Sequence, residues 1–247
     1  MVAFRVMHGA LLVNAFRMHV RGDLPWEAAL CPAPECSAAA AGGEAGGGPG
    51  DSLETLSHAF MRCPAAAQAV DWAWRLWGAL TPGMPQPPRS AQVLLGDSRG
   101  EGWQPGADYA ALWMRLRVAL IGAIWESRCA LGRPGAEPQP AAMRAGEIAR
   151  ATLARLRRMA GLAWQRVTCD IRLLSDDCPS TWFRGRDPQL SLGAFERDWA
   201  AGGRYCTAQL DPQPRMDVHV HAAWPVAVPG PGGRGDGEGD EGGGQGG

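Results

Sequence analysis

Three cysteines and one histidine are the residues of this chain whose types and spacing could do chemistry together. Cys31 and Cys36 close the stretch "CPAPEC", and His58 and Cys63 stand in "HAFMRCP". Thiolate with imidazole is the usual mixture around zinc, which takes four such ligands in a tetrahedron. Two close pairs suit that geometry, because one turn supplies two ligands and the next element supplies the others. Pro32 and Pro34 stiffen the first turn. Cys63 directly precedes a helix expected to begin at Pro64, where amide dipoles favour a thiolate. A Cys₃His set leaves no coordination position for water, so the expected role of Zn2+ is structural rather than catalytic. The competing reading is a group of buried and incidental cysteines with no metal.

The elements that must position these residues are mostly helical. Phe4, Met7, Leu11 and Ala15 recur at helical spacing across 3–20. The stretch "SAAAAGGEAGGGPGDS", residues 37–52, has no periodicity and is expected to be a mobile loop. Pro64 suits a helical first turn, and the helix runs to Leu80 with Val70, Trp74 and Trp77 on one face. "TPGMPQPP" breaks it, a short turn of helix follows at 90–95, and a longer helix covers about 107–131. Another spans about 140–168. Beyond residue 170 the pattern weakens to a short helix within 187–203 and a strand-like alternation near 216–224. The expected organisation is a zinc-stapled domain over 1–135, an arginine-rich helix with a weakly patterned region over 136–228, and a disordered acidic tail over 229–247.

The text around the candidate ligands resembles a known family. "ETLSHAFMRCPAAAQAVDWAW" is similar to the zinc-binding domain that follows the polymerase in non-LTR retrotransposon reverse transcriptases. Glu54, Thr55, Leu56, His58, Phe60, Cys63, Pro64, Trp72 and Trp74 match its pattern in order. "RVMHGALLVNAFRMH" resembles its leading helix, and "IWESRC" its Ile-Trp-x-x-Arg segment, so the likeness covers about residues 1–130. The chain departs from the pattern with C-x4-C in place of C-x2-C and with a longer glycine-rich insert. The resemblance implies a non-enzymatic, retroelement-derived zinc domain that holds RNA or single-stranded DNA through backbone contacts. The alternative is a helical interaction scaffold with structural zinc and no nucleic-acid role. The polymerase's aromatic-x-Asp-Asp motif is absent: the Asp176–Asp177 pair lacks the aromatic two positions before it.

The expected nucleic-acid contacts lie on the helix at 140–168. At about 100° per residue, Arg144, Arg155, Arg158 and Arg166 fall within one arc of roughly 80°, opposite Ala145, Ala149, Leu153 and Leu156. Guanidinium forks in a stripe match phosphate oxygens and give salt-dependent affinity. The competing reading is a solvated face in a chain whose 24 basic residues are all arginine. Most of the 11 tryptophans fall on apolar helix faces and are expected in the core rather than stacked on bases. His219 and His221 share a strand face, which alone is weak grounds for a metal. Cys129, Cys169, Cys178 and Cys206 are too scattered for a second site and are expected to be buried thiols.

Net charge is −1, but the tail carries four acids and one arginine, leaving 23 arginines against 21 acids elsewhere. That weak excess dictates no partner by itself. Seven cysteines with uneven spacing do not form a secreted disulfide framework. No stretch approaches the ~18–20 apolar residues of a membrane span. No membrane or small-molecule partner is expected, and a reducing interior, nuclear or cytoplasmic, is the expected location. The acid-free stretch before Asp23 keeps a mitochondrial transit peptide as the alternative.

Overall fold

The computed structural model describes residues 13–14, 17, 20–23, 25–41, 52–96, 103, 105–133, 135–173, 188–200, 204–210 and 216–220. The fold is mostly helical. Of the helix expected at 3–20, the described residues carry helical bonds, from the Arg17 N–H to the Val13 oxygen and from Arg21 to Arg17. The acidic tail, Cys178 and His221 lie outside the described residues.

The first full helix, α1, is Pro34–Ala41. Here the expectation of a loop over 37–52 is corrected at its start. Pro34 is preorganised for a first helical turn, and the alanines that follow have the highest helix propensity of any residue, so the chain coils before the glycines begin.

Helix α2 is Pro64–Leu80, with Pro64 in its first turn as expected. It ends at Thr81, whose hydroxyl donates to the Trp77 carbonyl at 2.8 Å. The proline-rich break then serves the core. The Trp74 indole donates to the Pro87 oxygen at 2.8 Å, and Trp103 to the Pro85 oxygen at 3.1 Å. The short α3, Ala91–Leu95, is capped by Ser90, whose hydroxyl oxygen accepts from the Val93 N–H.

Helices α4, Ala110–Leu131, and α5, Ala141–Leu173, complete the framework, and α2, α4 and α5 pack on one another. The boundary expected near residue 135 therefore falls within a shared core. At its centre Trp113 meets Trp74, Trp77 and Trp103 edge-on, with ring centroids 5.0–5.3 Å apart. Trp72, Trp74, Trp77, Trp103, Trp113, Trp164 and Trp199 are all buried, as the helical patterning implied. No helix among the described residues is long and apolar enough to cross a membrane.

After α5, helix α6, Pro188–Phe195, runs into a π-helical turn at Glu196–Ala200. Arg115 of α4 holds that turn, donating to the Asp198 carboxylate at 3.0 Å and lying over the Trp199 ring. The strand expected near 216–224 is β2, Met216–Val220. It pairs antiparallel with β1, Cys206–Leu210, with Ala208 opposite Val218.

Candidate metal centre

Two short stretches of extended backbone bring the halves of the site together. Leu30 and Leu53 form an antiparallel bridge. The Cys31 N–H donates to the Ser52 oxygen at 2.9 Å, and the Glu54 N–H to the Ala29 oxygen at 2.9 Å. The glycine-rich insert is thus closed at its base, and its length does not disturb the ligands.

Each pair has its own local device. Cys36 lies in the first turn of α1, its N–H bonded to the Ala33 oxygen, and the Ser52 hydroxyl donates to the Cys36 carbonyl at 3.1 Å. Cys31 stands before that turn, so the proline-started helix folds the second cysteine back toward the first. His58 opens a π-helical turn, His58–Arg62, and Cys63 caps its end. The Cys63 N–H closes it on the His58 oxygen at 2.7 Å. An α-helix would rotate residues five apart by about 140°; the wider turn brings them into line, and α2 starts at once. Thr55 supports the entry, its hydroxyl oxygen accepting from the His58 N–H at 3.0 Å.

The outcome is a cluster. Cys31, Cys36, His58 and Cys63 are all buried, and one ligand atom from each lies within 4.8 Å of the others. A tetrahedral ion with bonds of about 2.3 Å to sulfur holds its ligand atoms roughly 3.8 Å apart, so the set needs only a slight contraction. His58 Nε2 lies 3.4 Å from the Cys36 sulfur, and its Nδ1 is buried without a hydrogen-bond partner. Soft thiols and an imidazole, three of whose four side chains have no other described polar role, fit a metal ion in number and in chemistry. The sulfurs influence one another strongly. Cys63 is held far toward thiolate, first by hydrogen bonds with Cys31 and Cys36, then by His58 and by the charge of Arg144. Cys31 is pushed the other way by its hydrogen bonds with Cys36 and Cys63 and by burial.

Two ion pairs flank the cluster, and both were missed in the sequence. Glu54 is fully buried and receives the Arg128 guanidinium through two bonds of 2.7 and 2.6 Å. The Asn14 N–H adds a third at 2.8 Å, while the Asn14 side chain bridges Arg128 and the Leu30 carbonyl. Arg144 pairs with Glu35, the neighbour of Cys36, at 2.6 Å.

That second pair corrects the expected arginine face. Arg144 is only 4% exposed. Arg155 is paired with Glu126 and reaches the Ala119 carbonyl across Gly122, where a side chain would collide with it. Arg158 is exposed, and Arg166 lies in α5 with its side chain outside the described residues. The reason is the width of the buried stripe. Ile148 and Thr152 fall in or beside the same arc as Arg144 and are buried, because α5 packs against both α2 and α4. Among the described side chains of α5, the exposed arginines are instead Arg150, Arg157 and Arg158.

His219 lies in β2 opposite Thr207, with its side chain outside the described residues. Cys206 is buried as expected, Cys129 is half-buried, and the Cys169 side chain is outside the described residues. No family model, curated protein or solved structure matches the chain.

Proposed function

We propose that the chain is a non-enzymatic, zinc-stapled helical module that holds RNA or DNA by its backbone. The observation that carries the zinc assignment is the burial of three cysteine sulfurs and one imidazole within a single ligand shell. Zinc suits that donor set, and four protein ligands leave no position for a substrate or an activated water. The metal is therefore a fold element, joining the start of α1 to the turn that begins α2. The kinship to the reverse-transcriptase zinc domain rests on the likeness of the sequence around the ligands. Glu54 and Arg128, both within that text and 74 residues apart, meet as an ion pair beside the ligands.

The nucleic-acid role rests on Arg150 and Arg158, which are exposed on α5. Eight residues apart, they stand about 80° from one another around the helix. Neutralising two phosphates of a single strand gives a slope of about −1.4 in log affinity against log salt. The test is anisotropy of a labelled single-stranded RNA against rising salt, for the wild type and for Arg150→Glu with Arg158→Glu. Binding that weakens with salt and disappears in the variant, with helicity intact, supports the role. Salt-independent binding, or none at low ionic strength, overturns it.

A second reading is favoured by one observation. Arg144 and Arg155 are taken up by Glu35 and Glu126, so half of the expected stripe serves the fold. On that reading the module is a protein-interaction scaffold, and the same double substitution leaves its function unchanged.

A further inference from the structure

Arg144 has more donor capacity than its described partner uses. It lies in the first turn of α5, buried, and gives one Nη2 bond to the Oε2 of Glu35. Its Nε is buried with no hydrogen-bond partner, and so is the second oxygen of Glu35. A pair built only to satisfy itself would close as a fork, with two parallel bonds. Arg128, which lines the same small cavity as Arg144, does close that way on Glu54. The difference lies in what Arg144 faces. Together with Cys31, Cys63, Glu54, Arg128 and Ile148 it lines a cavity of about 20 Å³, room for about one water.

Charge explains why a guanidinium would stand there. A divalent ion on three thiolates and a neutral imidazole carries one net negative charge, and all four of these side chains are buried. An uncompensated buried charge is costly. Arg128 gives two bonds to Glu54, whereas Arg144 gives Glu35 a single bond and its buried Nε has no described partner. Glu35 worsens the balance, since its carboxylate stands next to Cys36.

We propose that Arg144 is the counter-ion of the metal centre: a positioning residue whose guanidinium offsets the buried charge of the metal–thiolate cluster, with Glu35 holding it in place. This inference rests on the zinc reading above and deepens it. The centre then draws on the third long helix as well as on its own loop and turn, so metal affinity and the docking of the α5 N-terminus support each other. Outer residues of this kind change metal affinity by about 10–100-fold when removed.

The experiment is a Co2+ titration of the full chain, followed by the thiolate-to-cobalt charge-transfer absorption, with Zn2+ affinity then measured by competition. The variants are Arg144→Met, Arg144→Lys and Glu35→Gln. Arg144→Met is expected to bind at least tenfold more weakly with unchanged helicity, and Arg144→Lys to recover most of the loss. Glu35→Gln removes a like charge while keeping an acceptor, and is expected to bind as tightly as the wild type or tighter. Wild-type affinity in Arg144→Met overturns the counter-ion role while leaving the zinc reading intact. Absence of any charge-transfer band in the wild type removes both. Should Arg144→Met fail to fold, Glu35→Gln decides: a tenfold loss there marks the pair as merely structural and overturns the proposal.

Discussion

Glu54 carries the heaviest single burden in the interior. Its carboxylate is wholly inside, and among the described residues Arg128 and Asn14 supply the hydrogen bonds that make that tolerable. Removing one partner of a buried pair costs about 3–5 kcal/mol, because the other charge is left without compensation. Glu54→Ala is therefore expected to destabilise the fold by about 3 kcal/mol in urea unfolding. The double variant with Arg128→Met should lose less than the sum of the two single changes; strict additivity would show that the pair is not coupled. Cys206 gives a different residue-scale test. Burial raises its pKa to about 11, so at pH 8 it stays a protonated, inert thiol. Alkylation mapped by mass spectrometry should label half-buried Cys129 well before Cys206, and equal rates would mean that the Cys206 pocket is open. At this scale the sequence exposed the clustered Cys₃His set through residue type and pairing, but not its neighbours. Glu35 and Arg144 are 109 residues apart, and nothing local marks them as partners. Arg144 read as a surface residue because the alanine stripe opposite it suggested a narrower buried face than α5 has.

Among elements, the long helices were legible because their apolar spacing is strong and their ends are punctuated by Pro64, the proline-rich break and "GRPG". The two π-helical turns were not, since an extra residue in a turn leaves no trace in composition. Neither was β1, a five-residue strand whose pairing with β2 is a tertiary fact. The alanines of α1 were hidden by the glycines that follow them. The position of α5 between α2 and α4 has a direct energetic consequence. Leu156 is buried on its inner side, and truncation there should cost about 2–5 kcal/mol. Arg158, two residues on and exposed, should shift stability by less than about 0.5 kcal/mol when changed to alanine. Urea midpoints of Leu156→Ala and Arg158→Ala compare the two; similar losses would mean that α5 is not seated as described.

For the molecule as a whole, the Cys₃His cluster and the tryptophan core are parts of one framework. The first half of the chain supplies the ligands, α4 supplies Arg128, and α5 supplies Arg144, so three separate stretches converge around four side chains. Metal binding to such a site is coupled to folding, because the unfolded chain has no preformed shell. The claim on which the rest depends is that these four residues hold one zinc ion and that the zinc fixes the helical fold. The most direct measurement is zinc content of the purified chain beside Cys63→Ser and His58→Ala, with helicity followed as a chelator is added. One zinc per chain, lost in both variants together with helical signal, is the expected result. No zinc in the wild type, or zinc content and helicity indifferent to both substitutions, would contradict it.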